Sequence, residues 1–249
     1  MSGDGIRRDA LPPFSGAALL IDLDGTLLDL APTPGSVVVP PGLIDTLRVL
    51  RDQLGGALAI VTGRPVDVID TLLGDAPYAV SGEHGGAFRH APGEGLERLD
   101  LKAPPASWLA RGAALEAVWP GAALERKVHG FGLHFRLAAA ESGAAIHDAL
   151  AALVAGSADF ELMQGKMLWE VRPRGTNKGY AVTHLMARAP FLGRVPVFIG
   201  DDVTDLDGIR AARVLGGAGL WVPDVFGGPA GVRAWLHVTA ARGDWGDFP

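Results

Sequence analysis

The sequence predicts an α/β protein, a doubly wound parallel sheet interrupted by a smaller inserted α+β domain. Three observations predict it. Ala17–Ile21, Ala57–Val61, Val195–Ile199 and Leu220–Val222 are short runs, apolar throughout, as strands buried on both faces require. Segments with apolar residues at helical spacing alternate with them. Residues 105–172 break that alternation and read α-β-β-α-β-β, the order of an antiparallel sheet with helices on one face.

Each element has its own signal. Leu43, Ile44, Leu47, Leu50 and Leu54 mark a helix over Leu43–Leu54. Pro65 suits a helix N1 position ahead of Val68, Ile69, Leu72 and Leu73. Lys178–Ala189 repeats the pattern, with Thr176 placed as an N-cap. Pro104–Pro105 breaks the chain and Ser107–Trp119 is predicted helical. Ala123–Val128 and Phe131–Leu137 form a predicted hairpin around His129–Gly130, and Ala144–Ala155 a second helix. Asp159–Met163 and Met167–Arg172 are a second predicted hairpin, turning at Gln164–Gly165. The expected division is a core of residues 1–104 and 173–249 with 105–172 inserted.

Composition narrows the function. The 249 residues are 48% hydrophobic with a net charge of −6, which suits a buried core and argues against disorder. Mild acidity argues against a general nucleic-acid binder. The absence of cysteine excludes disulfides, thiolate metal sites and Cys nucleophiles. The apolar runs are far shorter than the ~20 residues of a membrane span, and the N-terminal residues lack a leader-like apolar stretch. A soluble cytoplasmic protein without membrane partners is expected; oligomeric state is left open.

Chemistry concentrates at strand ends, where open α/β sheets bind ligands. Asp22-Leu23-Asp24-Gly25-Thr26 follows the first strand. Residues two apart in an extended segment point the same way, so Asp22 and Asp24 can converge. Close carboxylates repel unless a cation or shared proton compensates them, and a hard ion such as Mg²⁺ suits oxygen ligands. An Asp/Gly turn alone would also explain that segment. Gly200-Asp201-Asp202-Val203-Thr204-Asp205 is a second acidic cluster at a strand end. Thr62-Gly63-Arg64 offers a hydroxyl and helix N–H groups to an anion. Only four lysines stand among 22 basic residues, and Lys178 opens a helix after Gly175-Thr176-Asn177. Carboxylates for a metal, donors for an anion and one lysine make a phosphoryl-transfer set.

As an ordered set these four motifs resemble those of the haloacid dehalogenase-like phosphatases. The resemblance implies Asp22 as nucleophile and Asp24 as general acid/base. It implies Mg²⁺ held by the Asp22 side chain, the Asp24 carbonyl and Asp201. Thr62, Gly63 and Lys178 would hold the phosphate, and Asp205 would support the metal waters or Lys178.

The insert adds a substrate class. If extended, Glu125 and Lys127 share one strand face, and Lys166, Leu168 and Glu170 another. Carboxylates and lysines next to a phosphate site suit a polyhydroxylated ligand, although a solvated strand face would look the same. Leu124–Gly130, Leu133–Arg136, Gln164–Gly179 and Ala189–Asp202 resemble the bacterial trehalose-6-phosphate phosphatases. That resemblance implies sugar contacts from Glu125, Lys127 and Glu170, with Gln164 and Lys166 beside them. It sets Ser81-Gly82-Glu83-His84-Gly85 near the substrate. His134 reads as a ligand contact or a structural histidine, and Arg64 as a ligand contact or a local ion pair. A small sugar phosphate is thus the expected partner. Sucrose 6-phosphate or a glycosyl-glycerate phosphate as substrate, a phosphomutase and a non-catalytic sensor remain alternatives.

Overall fold

The computed structural model describes residues 11–165 and 167–248. They form two compact units: one runs to Arg98 and resumes at Asn177, the other is Leu99–Thr176. The inserted unit is thus a few residues longer at each end than 105–172.

The larger unit is built on a seven-stranded sheet. Its strands are β1 (Ala17–Ile21), β2 (Leu58–Val61), β3 (Ala79–Gly82), β4 (Ala87–Arg89) and β5 (Glu97–Arg98). The later strands β10 (Val195–Gly200) and β11 (Ala218–Trp221) complete the order β11-β10-β1-β2-β3-β4-β5. Pairing is parallel from β11 to β3, and β4 and β5 add an antiparallel edge. All residues of β1, β2 and β3 are buried, which explains the continuous apolar character of β1 and β2.

Helices α1 (Leu43–Gln53), α2 (Val66–Leu73), α5 (Lys178–Met186), α6 (Asp205–Val214), α7 (Val222–Val225) and α8 (Pro229–Arg242) cover the sheet. Helix α1 packs on α8 and α5 on α6. Among the described residues no helix is long and apolar enough to cross a membrane.

Register positions the site. Ile21 is level with Ile199 on one side and Ile60 on the other. Asp22 extends β1, donating its N–H to the Ile199 carbonyl at 2.9 Å. Strands are added to one side of β1 as β2 and β3 and to the other as β10 and β11, so the switch point falls between the carboxyl ends of β1 and β10.

The inserted unit contains α3 (Ala106–Val118), β6 (Ala123–Arg126), β7 (Phe131–His134), α4 (Ser142–Val154), β8 (Phe160–Gly165) and β9 (Leu168–Pro173). Its antiparallel sheet has the order β6-β7-β9-β8. Leu115, Phe131, Leu133, Ile146, Leu150 and Val171 are at its core, with Trp108, Trp119 and Trp169 packed against them. A fully buried Phe131 or Leu150 stabilises by about 1.5–3 kcal/mol, a large share of what so small a core can supply.

Three sequence expectations are corrected. The second hairpin turns two residues later than Gln164–Gly165, because β8 runs to Gly165 and Met167 takes φ +59°. Strand β7 stops at His134 rather than Leu137, since Ala138 N–H bonds back to the Phe135 carbonyl in a turn. Asn177, not Thr176, caps α5, its side chain accepting the Tyr180 N–H at 2.8 Å. The Thr176 hydroxyl donates to the Pro173 carbonyl instead.

Candidate active site

The chain ends β1 with its polar backbone satisfied by β10, and the first side chain beyond it is Asp22. This carboxylate is buried, and its Oδ1 accepts a hydrogen bond from Lys178 Nζ at 2.6 Å. The same ammonium donates to Asp205 Oδ1 at 2.6 Å. Lys178 is the first residue of α5 and Asp205 the first of α6, so two packed helices deliver the pair. The second Asp205 oxygen accepts the backbone N–H groups of Asp201 and Asp202 at 3.1 and 2.9 Å. It thereby fixes the loop between β10 and α6.

Asp201 completes the cluster. Carboxylate oxygens of Asp22, Asp201 and Asp205 lie within 4.8 Å of one another. The Thr26 hydroxyl donates to Asp201 Oδ1 at 3.3 Å. Gly25 makes this approach possible. Its φ is +86°, and a Cβ there would stand 2.3 Å from Asp201 Oδ2.

The electrostatics of this cluster favour a further positive charge. Burial first, then repulsion from Asp205, holds the Asp22 carboxyl well above the usual aspartate range despite Lys178. Burial opposes charge on Lys178, yet Asp205 and Asp22 outweigh it and hold the ammonium above its ordinary value. One ammonium thus serves two of three converging carboxylates. An all-oxygen donor set with surplus negative charge fits a hard divalent cation. Asp205 already accepts from three donors, which leaves Asp22 and Asp201 as the better-placed side-chain ligands.

Asp24 is held differently. Arg64 grips it with both arms, Nε to Oδ2 at 2.6 Å and Nη2 to Oδ1 at 2.7 Å. Arg64, expected as a ligand contact or a local ion pair, is engaged in this structure by the second aspartate of the first motif. Thr62 follows β2, buried, and its Oγ1 accepts the Arg64 N–H at 3.2 Å. Gly63 is required by His84, whose Nε2 would stand 2.4 Å from a Cβ at that position. Glu83 and His84 both take positive φ, and their N–H groups bond to the carbonyls of Arg64 and Thr62. The β2–α2 and β3–β4 turns are thereby interlocked. Pro65 caps α2 from outside rather than occupying its first turn.

The structure brings Asp22, Asp201, Asp205 and Lys178 together, joins Asp24 to Arg64, and sets Thr62 and Gly63 against the His84 turn. Sequence reasoning missed Thr26 and the Asn177 cap. Thr26 was visible inside the first motif, whereas its Asp201 partner lies 175 positions away.

In the inserted unit, Glu125, Gly132 and Glu170 are register partners across β6, β7 and β9. Lys127 Nζ donates to Glu170 Oε1 at 2.7 Å, and both side chains are buried. Glu125 Oε2 and His134 Nε2 are 2.7 Å apart. Burial opposes charge on Glu125, but His134 and Lys127 outweigh it and hold the carboxyl below the usual range. Gln164 departs from this group. It lies within β8 rather than in the turn and pairs with Trp169, while Met163 pairs with Glu170, so Gln164 shares the Trp169 face. Lys166 lies outside the described residues.

A family model described as Trehalose-phosphatase matches residues 20–222. A probable trehalose-phosphate phosphatase of Sinorhizobium fredii is 39% identical over 206 residues, 82% of this chain and 76% of that protein. The trehalose-6-phosphate phosphatase of Escherichia coli is 37% identical over 209 residues, 80% and 75% of the two chains. Among solved structures, the C-terminal domain of C. albicans trehalose-6-phosphate phosphatase aligns with a TM-score of 0.79 at 21% identity. That alignment covers 92% of this chain and 93% of the other, and it supports the fold. The chain belongs to the trehalose-phosphatase family.

Proposed function

We propose that the chain hydrolyses trehalose 6-phosphate to trehalose and inorganic phosphate, with Mg²⁺ as cofactor and Asp22 as nucleophile. The observation that carries this reading is the buried Asp22–Lys178–Asp205 chain at the sheet's switch point, with Asp201 converging on it. Side chains of Asp22 and Asp201 and the Asp24 carbonyl would hold the ion. When bound, it neutralises these carboxylates and the phosphate oxygens, keeping Asp22 ionised for attack.

Asp22 attacks phosphorus, the phosphorus–sugar oxygen bond breaks, and Asp24 gives its proton to the departing oxygen. Asp24 then takes a proton from a water that attacks the aspartyl-phosphate, releasing phosphate and restoring Asp22. Asp24 must leave the Arg64 fork, at least in part, to perform either transfer. Thr62, the Gly63 N–H and Lys178 hold the phosphate, and Asp205 orients Lys178.

The sugar contacts are assigned to Glu125, Lys127 and Glu170. Glu125→Gln should lower kcat/KM for trehalose 6-phosphate by about 10–100-fold, mainly through KM, as loss of a charged hydrogen bond does. An unchanged KM would remove Glu125 from the sugar site.

The overall reading is tested by phosphate release from trehalose 6-phosphate, sucrose 6-phosphate and a glycosyl-glycerate phosphate, with and without chelator. Trehalose 6-phosphate should turn over fastest, and chelator should stop it. Faster release from another sugar phosphate, or full activity in chelator, would overturn the substrate or the cofactor respectively.

A further inference from the structure

A second group of ligand-type side chains lies in the larger unit, on the sheet edge formed by β4 and β5. His90 follows β4, Glu97 belongs to β5 and His184 to α5. One ligand atom from each, two imidazole nitrogens and a carboxylate oxygen, lies within 4.8 Å of the others. We propose that His90, Glu97 and His184 form a second metal site, taking a borderline divalent cation such as Zn²⁺.

Several observations support a built site. His90 Nε2 is 2.8 Å from Glu97 Oε2, and His184 Nε2 is 3.6 Å from Glu97 Oε1. That second nitrogen is buried and has no hydrogen-bond partner. The other His184 nitrogen, Nδ1, meets the Tyr180 hydroxyl at 3.5 Å, leaving Nε2 to face the cluster. A partner on the far ring nitrogen is the usual way a metal-bound histidine is oriented. Phe88 packs on both rings, parallel to His90 at 5.7 Å and tilted against His184 at 4.3 Å. The imidazoles are therefore held close to Glu97 before any ion arrives. Burial and the nearby Arg188 charge hold the His184 imidazole below its ordinary pKa, which favours the neutral ligand form.

The donor set selects the ion. Two imidazoles and one carboxylate suit Zn²⁺ or Co²⁺, whereas Mg²⁺ prefers the oxygens of the aspartate cluster. Bonds of about 2.0–2.1 Å place tetrahedral ligands roughly 3.3–3.4 Å apart, so the group must contract at its longest edge by ring rotation. A fourth position is left for water. Arg188 opposes the ion: its Nη1 donates to Glu97 Oε2 at 2.9 Å and its Nη2 to Oε1 at 3.5 Å. Its side chain is 46% exposed, so it can swing into solvent. Occupancy would tie the β4–β5 edge to α5, the helix that begins with Lys178.

The test is a Co²⁺ titration of the full chain in excess Mg²⁺, which holds the aspartate cluster, followed by visible absorption. The same titration in Asp201→Asn controls for that cluster. One equivalent with imidazole-type bands is expected in both proteins, with affinity reduced at least about 100-fold in His184→Gln and Glu97→Gln. Arg188→Ala should bind severalfold more tightly. Circular dichroism and phosphate release confirm that each variant other than Asp201→Asn is folded. Equal Co²⁺ affinity in His184→Gln and wild type, or no binding in Asp201→Asn, would overturn the site, as would weaker binding in Arg188→Ala.

Discussion

Lys178→Met is expected to slow phosphate release by roughly 10³-fold, the cost of removing one fixed donor from a developing phosphate charge. The side chain is the shared donor to two buried carboxylates, at 2.6 Å from each. Breaking a buried pair by removing one partner typically costs about 3–5 kcal/mol, because the remaining charges are left uncompensated. Urea unfolding in chelator should therefore show a marked loss of stability, and Mg²⁺ should restore part of it. The wild-type contribution should be constant across the neutral range. Lys178 is held above its ordinary value, so its stabilisation is fully present below the unfolded lysine pKa and is lost only at high pH. A variant as active and as stable as wild type would dismiss Lys178 from both roles.

Asp22→Asn should abolish turnover, by roughly 10⁴-fold or more, with the fold intact. An amide cannot form the acyl phosphate, so wild type but not the variant should carry a phosphoryl group after rapid quenching with substrate. The variant also has a pH signature in chelator. Burial and then Asp205 raise the Asp22 carboxyl above its ordinary 3.8. The folded state therefore keeps a proton that the unfolded chain has already released. Between the unfolded and folded values, stability falls as pH rises. Asp22→Asn lacks this titration, so its urea midpoint should decline less over that window. Parallel declines in the two proteins would show that Asp22 does not titrate as its surroundings dictate.

The aspartate–lysine cluster was legible because such chemistry restricts residue type. Asp22, Asp201, Asp205 and Lys178 announce themselves as acids and a rare lysine at strand and helix ends. What remained illegible was fixed by tertiary geometry. Strands β3, β4 and β5 have two to four residues each and carry too little period to read. Arg64 could be a ligand contact or a local pair on sequence grounds, and its ion pair with Asp24, 40 positions away, could not be read there. The turn between β8 and β9 lies two residues later than expected, which places Gln164 inside a strand opposite Trp169. The segment after Trp235 gave no signal, yet Trp245 stacks on Trp235 at 5.5 Å and its indole N–H reaches the Pro12 carbonyl. Aromatic stacking of that kind leaves no periodicity to find.

Because α5 begins with the lysine that holds Asp22 and α6 with the aspartate that holds that lysine, the reach of the Lys178 ammonium is a property of the seam between two helices. A substitution along that seam, several turns from any phosphate, would shift one helix start against the other. A displacement of about 1 Å is enough to cost ~10²-fold in rate. Loss of activity from such a change would look like damage to the chemistry while every reacting group remained in the sequence.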